Sequence, residues 1–123
     1  MIKYVNETTG IEESQLEGFF VGWPNPPKAD KHLALMEKSA HVWIAIDDEN
    51  NKVVGFINAV SDQVLSAYIP LLEVIPEYQN KGIGGELVKR MIDTLKEYYM
   101  VDLMCDQDMQ TFYNKFDSLK LVV

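Results

Sequence analysis

The sequence has one cysteine, two histidines, few basic residues and no long apolar run, and each shortage removes a class of protein. Cys105 alone cannot close an internal disulfide or build a cysteine-rich zinc site. His32 and His41 lie far apart in sequence, so no structural metal is expected. A reducing, cytoplasmic location follows as the default. No stretch of about 18 apolar residues occurs, and Met1-Ile2-Lys3-Tyr4 opens no secretory segment, so a membrane is not expected as a partner. Nineteen acidic residues against 11 basic ones give a net charge of −8, which speaks against a nucleic-acid partner. The same charge suits a cationic acceptor such as an amine, or simply keeps the protein in solution. A chain of 123 residues, 47% hydrophobic and 24% charged, is read as one globular domain spanning 1–123.

What is present is concentrated between Leu71 and Val88. A buried-strand pattern, Leu71, Leu72, Val74 and Ile75, runs through Pro76 into the turn Gln79-Asn80-Lys81-Gly82-Ile83-Gly84-Gly85 and then into an amphipathic helix. Backbone N–H groups converging at the positive end of a helix dipole make an anion site. Spacing decides which anion. A Walker loop needs its lysine after the glycines and a hydroxyl next, whereas Lys81 precedes them and no hydroxyl follows. A dinucleotide fingerprint needs a third glycine where Leu87 stands. Gln-x-x-Gly-x-Gly remains, filled by Gln79, Gly82 and Gly84. Lys81, Lys89 and Arg90 lie close to it in sequence, a local basic cluster on an acidic chain.

The run Leu72 to Val88, with its Val-x-Pro-Glu-Tyr lead-in, resembles motif A of the GNAT superfamily of N-acetyltransferases. In that superfamily the loop grips the pyrophosphate of acetyl-CoA.

The rest of the chain supplies the expected elements. Acidic residues followed by Leu16, Phe19 and Phe20 predict a helix over Glu12 to Phe20, halted by the proline-rich loop Gly22 to Pro27. Ala29 to Ser39 reads as a second helix. Val42 to Ile46 and Val53 to Val60 read as strands joined by a hairpin turn at Asp47 to Asn51, with His41 beginning a strand. Leu65 to Ile75 reads as the central strand, and Gly84 to about Tyr98 as a helix with Leu87, Met91 and Leu95 on one face. Val101 to Cys105 then completes a right-handed strand–helix–strand crossover. Asp108 to Phe116 and Leu119 to Val123 read as a last helix and strand. The predicted fold is α/β, layered, and matches the GNAT order: antiparallel N-terminal strands, a splayed central strand, the crossover holding the CoA site, and shortened C-terminal strands.

The resemblance also implies chemistry. Leu72 and Val74 would pair with the pantetheine arm of acetyl-CoA like an added strand, the amide of Val74 polarising the thioester carbonyl. Gln79, Asn80, Lys81, Gly82, Ile83, Gly84, Gly85 and Glu86 would hold the pyrophosphate. Thr111 to Phe116 resembles the family's final-helix segment and places Tyr113 as the proton donor to the leaving thiolate. Relatives often carry a glutamate base fourteen positions before Gly82, where this chain has Tyr68. Glu73, a carboxylate in an apolar run, is the substitute candidate, with a water chain to Asp102 or Asp106 as another route. Trp23, in the rigid loop, and Tyr68 are the candidate residues of the acceptor pocket. Cys105 has no histidine to activate it and reads as a strand residue.

Two departures stand out. Phe116-Asp117-Ser118 replaces the usual Leu-Gly-Phe continuation, and the segment after it holds one strand where relatives have two. The C-terminal wall of the acceptor site is then either incomplete or supplied by a second subunit in a homodimer, through strand addition at the edge. The expected function is acetyl transfer from acetyl-CoA to a primary amine, the alternative a catalytically weak CoA-binding module.

Overall fold

The computed structural model describes residues 1–103, and everything below concerns those residues. In chain order they form β1 (Ile2–Val5), a 3-10 turn (Glu13–Gln15), α1 (Ala29–Lys38), β2 (His41–Asp47), β3 (Lys52–Ser61), β4 (Ser66–Val74), a second 3-10 turn (Pro76–Tyr78), α2 (Ile83–Leu95) and β5 (Met100–Leu103). The strands lie in one sheet in the order β1-β2-β3-β4-β5. The first three pairings are antiparallel and β4 pairs with β5 in parallel, so α2 is the crossover the sequence predicts.

Two apolar layers hold the sheet. Ile83, Leu87, Val88, Met91 and Leu95 of α2 cover one face, packing on Ala45, Val54, Ile57, Ile69 and Val101. Met36 of α1, with Leu16 and Phe20 of the loop before it, covers the other over Val42, Ile44, Val53 and Phe56. The alternation of strand side chains is what splits β2 and β3 between these layers. Gly55 lets α2 settle close to the sheet. A Cβ there would lie 3.1 Å from Leu87 Cδ1 and 3.2 Å from the main-chain oxygen of Glu73.

The β2–β3 hairpin is closed by its own acids and amides. Asp47 accepts from the amide of Glu49 at 3.0 Å, and Asn50 accepts from that of Lys52 at 3.1 Å. At the β3–β4 turn, Asp62 Oδ1 accepts from the amides of Val64, Leu65 and Ser66, and these bonds hold its carboxyl below the usual range.

Two expectations fail. The helix over Glu12 to Phe20 reduces to the single turn Glu13–Gln15. Gly18 (φ +91°) and Phe20 (φ +62°) are left-handed, a conformation a right-handed helix cannot contain. The buried positions Leu16 and Phe20 are therefore presented by a loop. The strand β1 was not anticipated; it is four residues long and exists through its pairing with β2.

Candidate functional site

The two most distinctive conformations of the glycine turn are at Asn80 (φ +63°) and Gly82 (φ +84°). Gly82 caps α2 without any side-chain cap, and the helical ladder starts only with the Glu86 amide to the Gly82 carbonyl at 3.1 Å. The amides of Ile83, Gly84 and Gly85 therefore have no partner within the helix and lie at its positive end. Built Cβ atoms at Gly82 and Gly85 would meet nothing within 4 Å. The approach to this turn is open.

Beside it the outer edge of β4 around Leu72 and Val74 is unpaired among the described residues. The amide of Ile75 bonds to the Val54 carbonyl at 2.9 Å, and antiparallel pairing alternates. The amides and carbonyls of Leu72 and Val74 consequently point away from β3. On that side β5 pairs with β4 only along Ser66–Ile69, and no described residue pairs beyond it. Gln79 Nε2 takes the Val74 carbonyl at 2.9 Å, tying the turn back to the strand end. The Val74 amide is left facing the gap.

Strand edge and turn together line a groove of about 510 Å³, formed by Leu72, Glu73, Val74, Tyr78, Gln79, Asn80, Gly82, Ile83, Gly84 and Gly85. Nine of the residues singled out from the sequence meet there. Tyr78 joins them; it stands in the Pro-Glu-Tyr lead-in, which was its only sequence signal. Its hydroxyl donates to Asp47 Oδ2 at 2.6 Å, a bond that lowers the Asp47 carboxyl and raises the Tyr78 phenol.

Other expected residues sit apart. Lys81 is exposed, its ammonium 5.9 Å from the Tyr78 ring centre, at the rim and not in the lining. Glu86 is engaged by Arg90 at 2.7 Å one turn down α2. Arg90 is drawn away to lie over Tyr4 at 4.6 Å and Trp43 at 5.1 Å, so it adds little to the basic cluster read at the turn. Tyr68 lines a separate hollow of about 440 Å³ with Val60, Ser61, Asp62, Ser66, Met100 and Asp102. It lies five residues, about 16 Å, along β4 from Glu73. Trp23 is not beside Tyr68 either; it packs edge-on against Phe20, ring centres 5.0 Å apart, and is 46% exposed. His41 begins β2 and bonds to the Tyr98 hydroxyl at 2.8 Å, which gives it a structural partner. Tyr113, Cys105 and Asp106 lie outside the described residues.

Glu73 does not point to open solvent. Its Oε1 accepts from the amide of Phe20 at 2.5 Å, and its Oε2 is sealed from solvent with no partner among the described residues. Burial raises its carboxyl above the usual range, and the Phe20 amide opposes that by favouring the ionised form. Sequence reasoning missed Phe20. The glycines that flank it at 18 and 22 were the available signal, since both have positive φ.

Among known proteins, the model of the acetyltransferase (GNAT) family matches residues 8–117. The chain is 30% identical over 122 residues to an uncharacterized N-acetyltransferase of Pyropia yezoensis, spanning 95% of this chain and 70% of that protein. It is 31% identical over 91 residues to a chloroplastic GCN5-related N-acetyltransferase of Arabidopsis thaliana, 72% of this chain and 46% of that one. A crystal structure of a Deinococcus radiodurans R1 protein classed as an acetyltransferase superposes with a TM-score of 0.89 at 40% identity, covering 94% of this chain and 80% of that one.

Proposed function

This chain belongs to the GNAT acetyltransferase family and is an acyltransferase; on that premise we propose that it moves an acetyl group from acetyl-CoA to a primary amine, with both substrates bound together. The observation that carries the reading is the junction of two backbone surfaces that no described residue satisfies. The outward-facing edge of β4 at Leu72 and Val74 meets the free first-turn amides of α2 in one groove. An extended amide-bearing arm ending in a pyrophosphate satisfies both, the arm by strand-like pairing and the anion by the helix terminus.

When bound, acetyl-CoA supplies an acyl carbon already activated as a thioester. The chain's own residues then orient and stabilise. The Val74 amide donates to the carbonyl oxygen as it gains charge, an oxyanion-type contact from rigid backbone. The Glu73 carboxylate takes a proton from the incoming ammonium, and burial makes it a stronger base than an exposed carboxylate. The freed amine attacks the acyl carbon, and the carbon–sulfur bond breaks as the tetrahedral centre collapses. The departing thiolate takes a proton from Tyr113, the role the family resemblance gives that residue. Lys81 at the rim adds positive charge near the pyrophosphate.

The acceptor is proposed as a cationic amine without further specification. For location, a reducing aqueous compartment is proposed; no helix among the described residues is long and apolar enough to cross a membrane.

Two measurements on the same protein test this reading. Acetyl-CoA is expected to raise the melting temperature, and free CoA thiol to appear when amines from a panel of polyamines, amino acids, aminoglycosides and peptide N-termini are added. Stabilisation without thiol release across the panel would instead support a CoA-binding module. No stabilisation at all would sink the cofactor assignment.

A further inference from the structure

The loop between the first 3-10 turn and α1 carries three left-handed residues in five: Gly18 (φ +91°), Phe20 (φ +62°) and Gly22 (φ +84°). For two glycines this is ordinary. For a phenylalanine it is strained, and such strain persists only where the surroundings over-determine it. Here they do. The Phe20 ring is 3% exposed and packs edge-on against Trp23, His32 and Phe56, with ring centres 5.0, 5.0 and 6.3 Å away. With the ring anchored, the left-handed backbone turns the Phe20 amide toward β4, where it meets Glu73 Oε1 across 53 residues of sequence at 2.5 Å.

We infer that the main-chain amide of Phe20 is the positioning group for Glu73, fixing Oε1 so that Oε2 is the oxygen left to take the acceptor's proton. This rests on the reading of Glu73 as the base. A strand glutamate has three side-chain torsions, and no other described residue restrains them by hydrogen bonding. β3 places Phe56 opposite it, and α1 contributes His32, whose ring lies 4.4 Å from that of Phe56. His32 is the titratable group on that cluster among the described residues, and burial lowers it to about 4, so it is neutral near neutral pH and brings no positive charge to Glu73. The Phe20 amide is thus the only hydrogen-bond partner of the carboxylate among the described residues. One oxygen is held by a charge-assisted bond and the other is buried without a partner among the described residues, a state that any proton donor reaching it would relieve. Glu73 is one of the residues that line the groove.

A bond that only ties the loop to the sheet would leave the chemistry unmoved when lost, and that separates the two roles. Replacing Phe20 by phenyllactic acid in the full chain, through nonsense suppression, turns the amide into an ester and removes the donor while keeping the ring. The amide favours ionised Glu73, so its loss raises the Glu73 pKa. The acidic limb of kcat/KM is expected to move to higher pH and kcat to fall about tenfold, with the KM for acetyl-CoA unchanged. Carbon-13 NMR of the Glu73 carboxyl, identified by its absence in Glu73→Gln, should show its titration moving the same way without reference to turnover. An ester protein with the wild-type acidic limb and carboxyl titration, beside an inactive Glu73→Gln, overturns the positioning role alone. A Glu73→Gln enzyme with normal turnover overturns the base reading, and the positioning role with it.

Discussion

Glu73 carries a conflict between folding and chemistry that can be measured. Its carboxyl is raised by burial, so the folded chain holds the proton more tightly than the unfolded one. For a raised carboxyl the contribution to stability is present at acidic pH and is lost as pH rises through the folded-state value. Above that value the ionised side chain therefore costs stability. Glu73→Gln removes that charge while its carbonyl still accepts from the Phe20 amide. The variant is expected to melt higher than wild type at pH 7 to 8, with the gap closing as pH is lowered. The same variant should lose tenfold or more in kcat, about 1.4 kcal/mol or more of transition-state stabilisation. Thermal melts across pH, set beside kcat, check both signs; a variant that is both less stable and fully active contradicts the assignment. This residue was legible in the sequence because a lone carboxylate in Leu71-Leu72-Glu73-Val74-Ile75 is conspicuous. Its partner Phe20 was not, because a backbone amide has no side-chain signature: the flanking glycines hint at an unusual backbone there, but only the fold joins it to Glu73.

At the scale of elements, the start of α2 separates two glycines that look alike in sequence. Gly82 has φ +84°, and an added Cβ there would touch nothing, so Gly82→Ala costs conformational strain alone, about 1–2 kcal/mol. Gly85 lies inside the helix with equally open space. Gly85→Ala should therefore gain helix propensity, up to about 1 kcal/mol. The expected result is opposite shifts in melting temperature, with a raised KM for acetyl-CoA in Gly82→Ala as the turn's amides lose their aim. Equal shifts would show that the turn is not held as described. α2 was readable because its apolar stripe, Leu87, Met91 and Leu95, repeats at helical spacing over a long segment. The supposed helix over Glu12 to Phe20 offered the same kind of signal over a shorter span. There Gly18 and the left-handed Phe20 prevailed, and the apolar residues reached the core from a loop. β1 escaped notice since four residues hold too little pattern; its partner β2 gives it structure.

Across the whole molecule, the half of the candidate site proposed to bind the donor was legible because it is contiguous, running from Leu72 to Gly85. The half proposed to face the acceptor was not, because it is assembled from distant segments. Trp23 reaches the Glu73 neighbourhood through Phe20, while Tyr68, expected beside it, lines a different hollow. The overall charge of −8 acts on both halves with opposite signs. A cationic amine is drawn toward an acidic protein and an anionic cofactor is repelled, each over a range set by a Debye length of about 8 Å at physiological ionic strength. Among the described residues Glu73 is the one carboxylate of the groove's lining, so the proposed cofactor binding would depend on backbone amides and on Lys81 at the rim, against the field of the rest. Raising the salt concentration should therefore lower kcat/KM for a cationic amine and raise it for acetyl-CoA. Initial-rate kinetics varied in each substrate, at roughly 0.01 M and 0.15 M ionic strength, measure the two slopes. Parallel slopes would mean that local charge near the groove, and not the acidic surface as a whole, governs encounter. Neutralising Lys81 as Lys81→Gln should then separate the terms, weakening acetyl-CoA alone and leaving the salt slope for the amine in place.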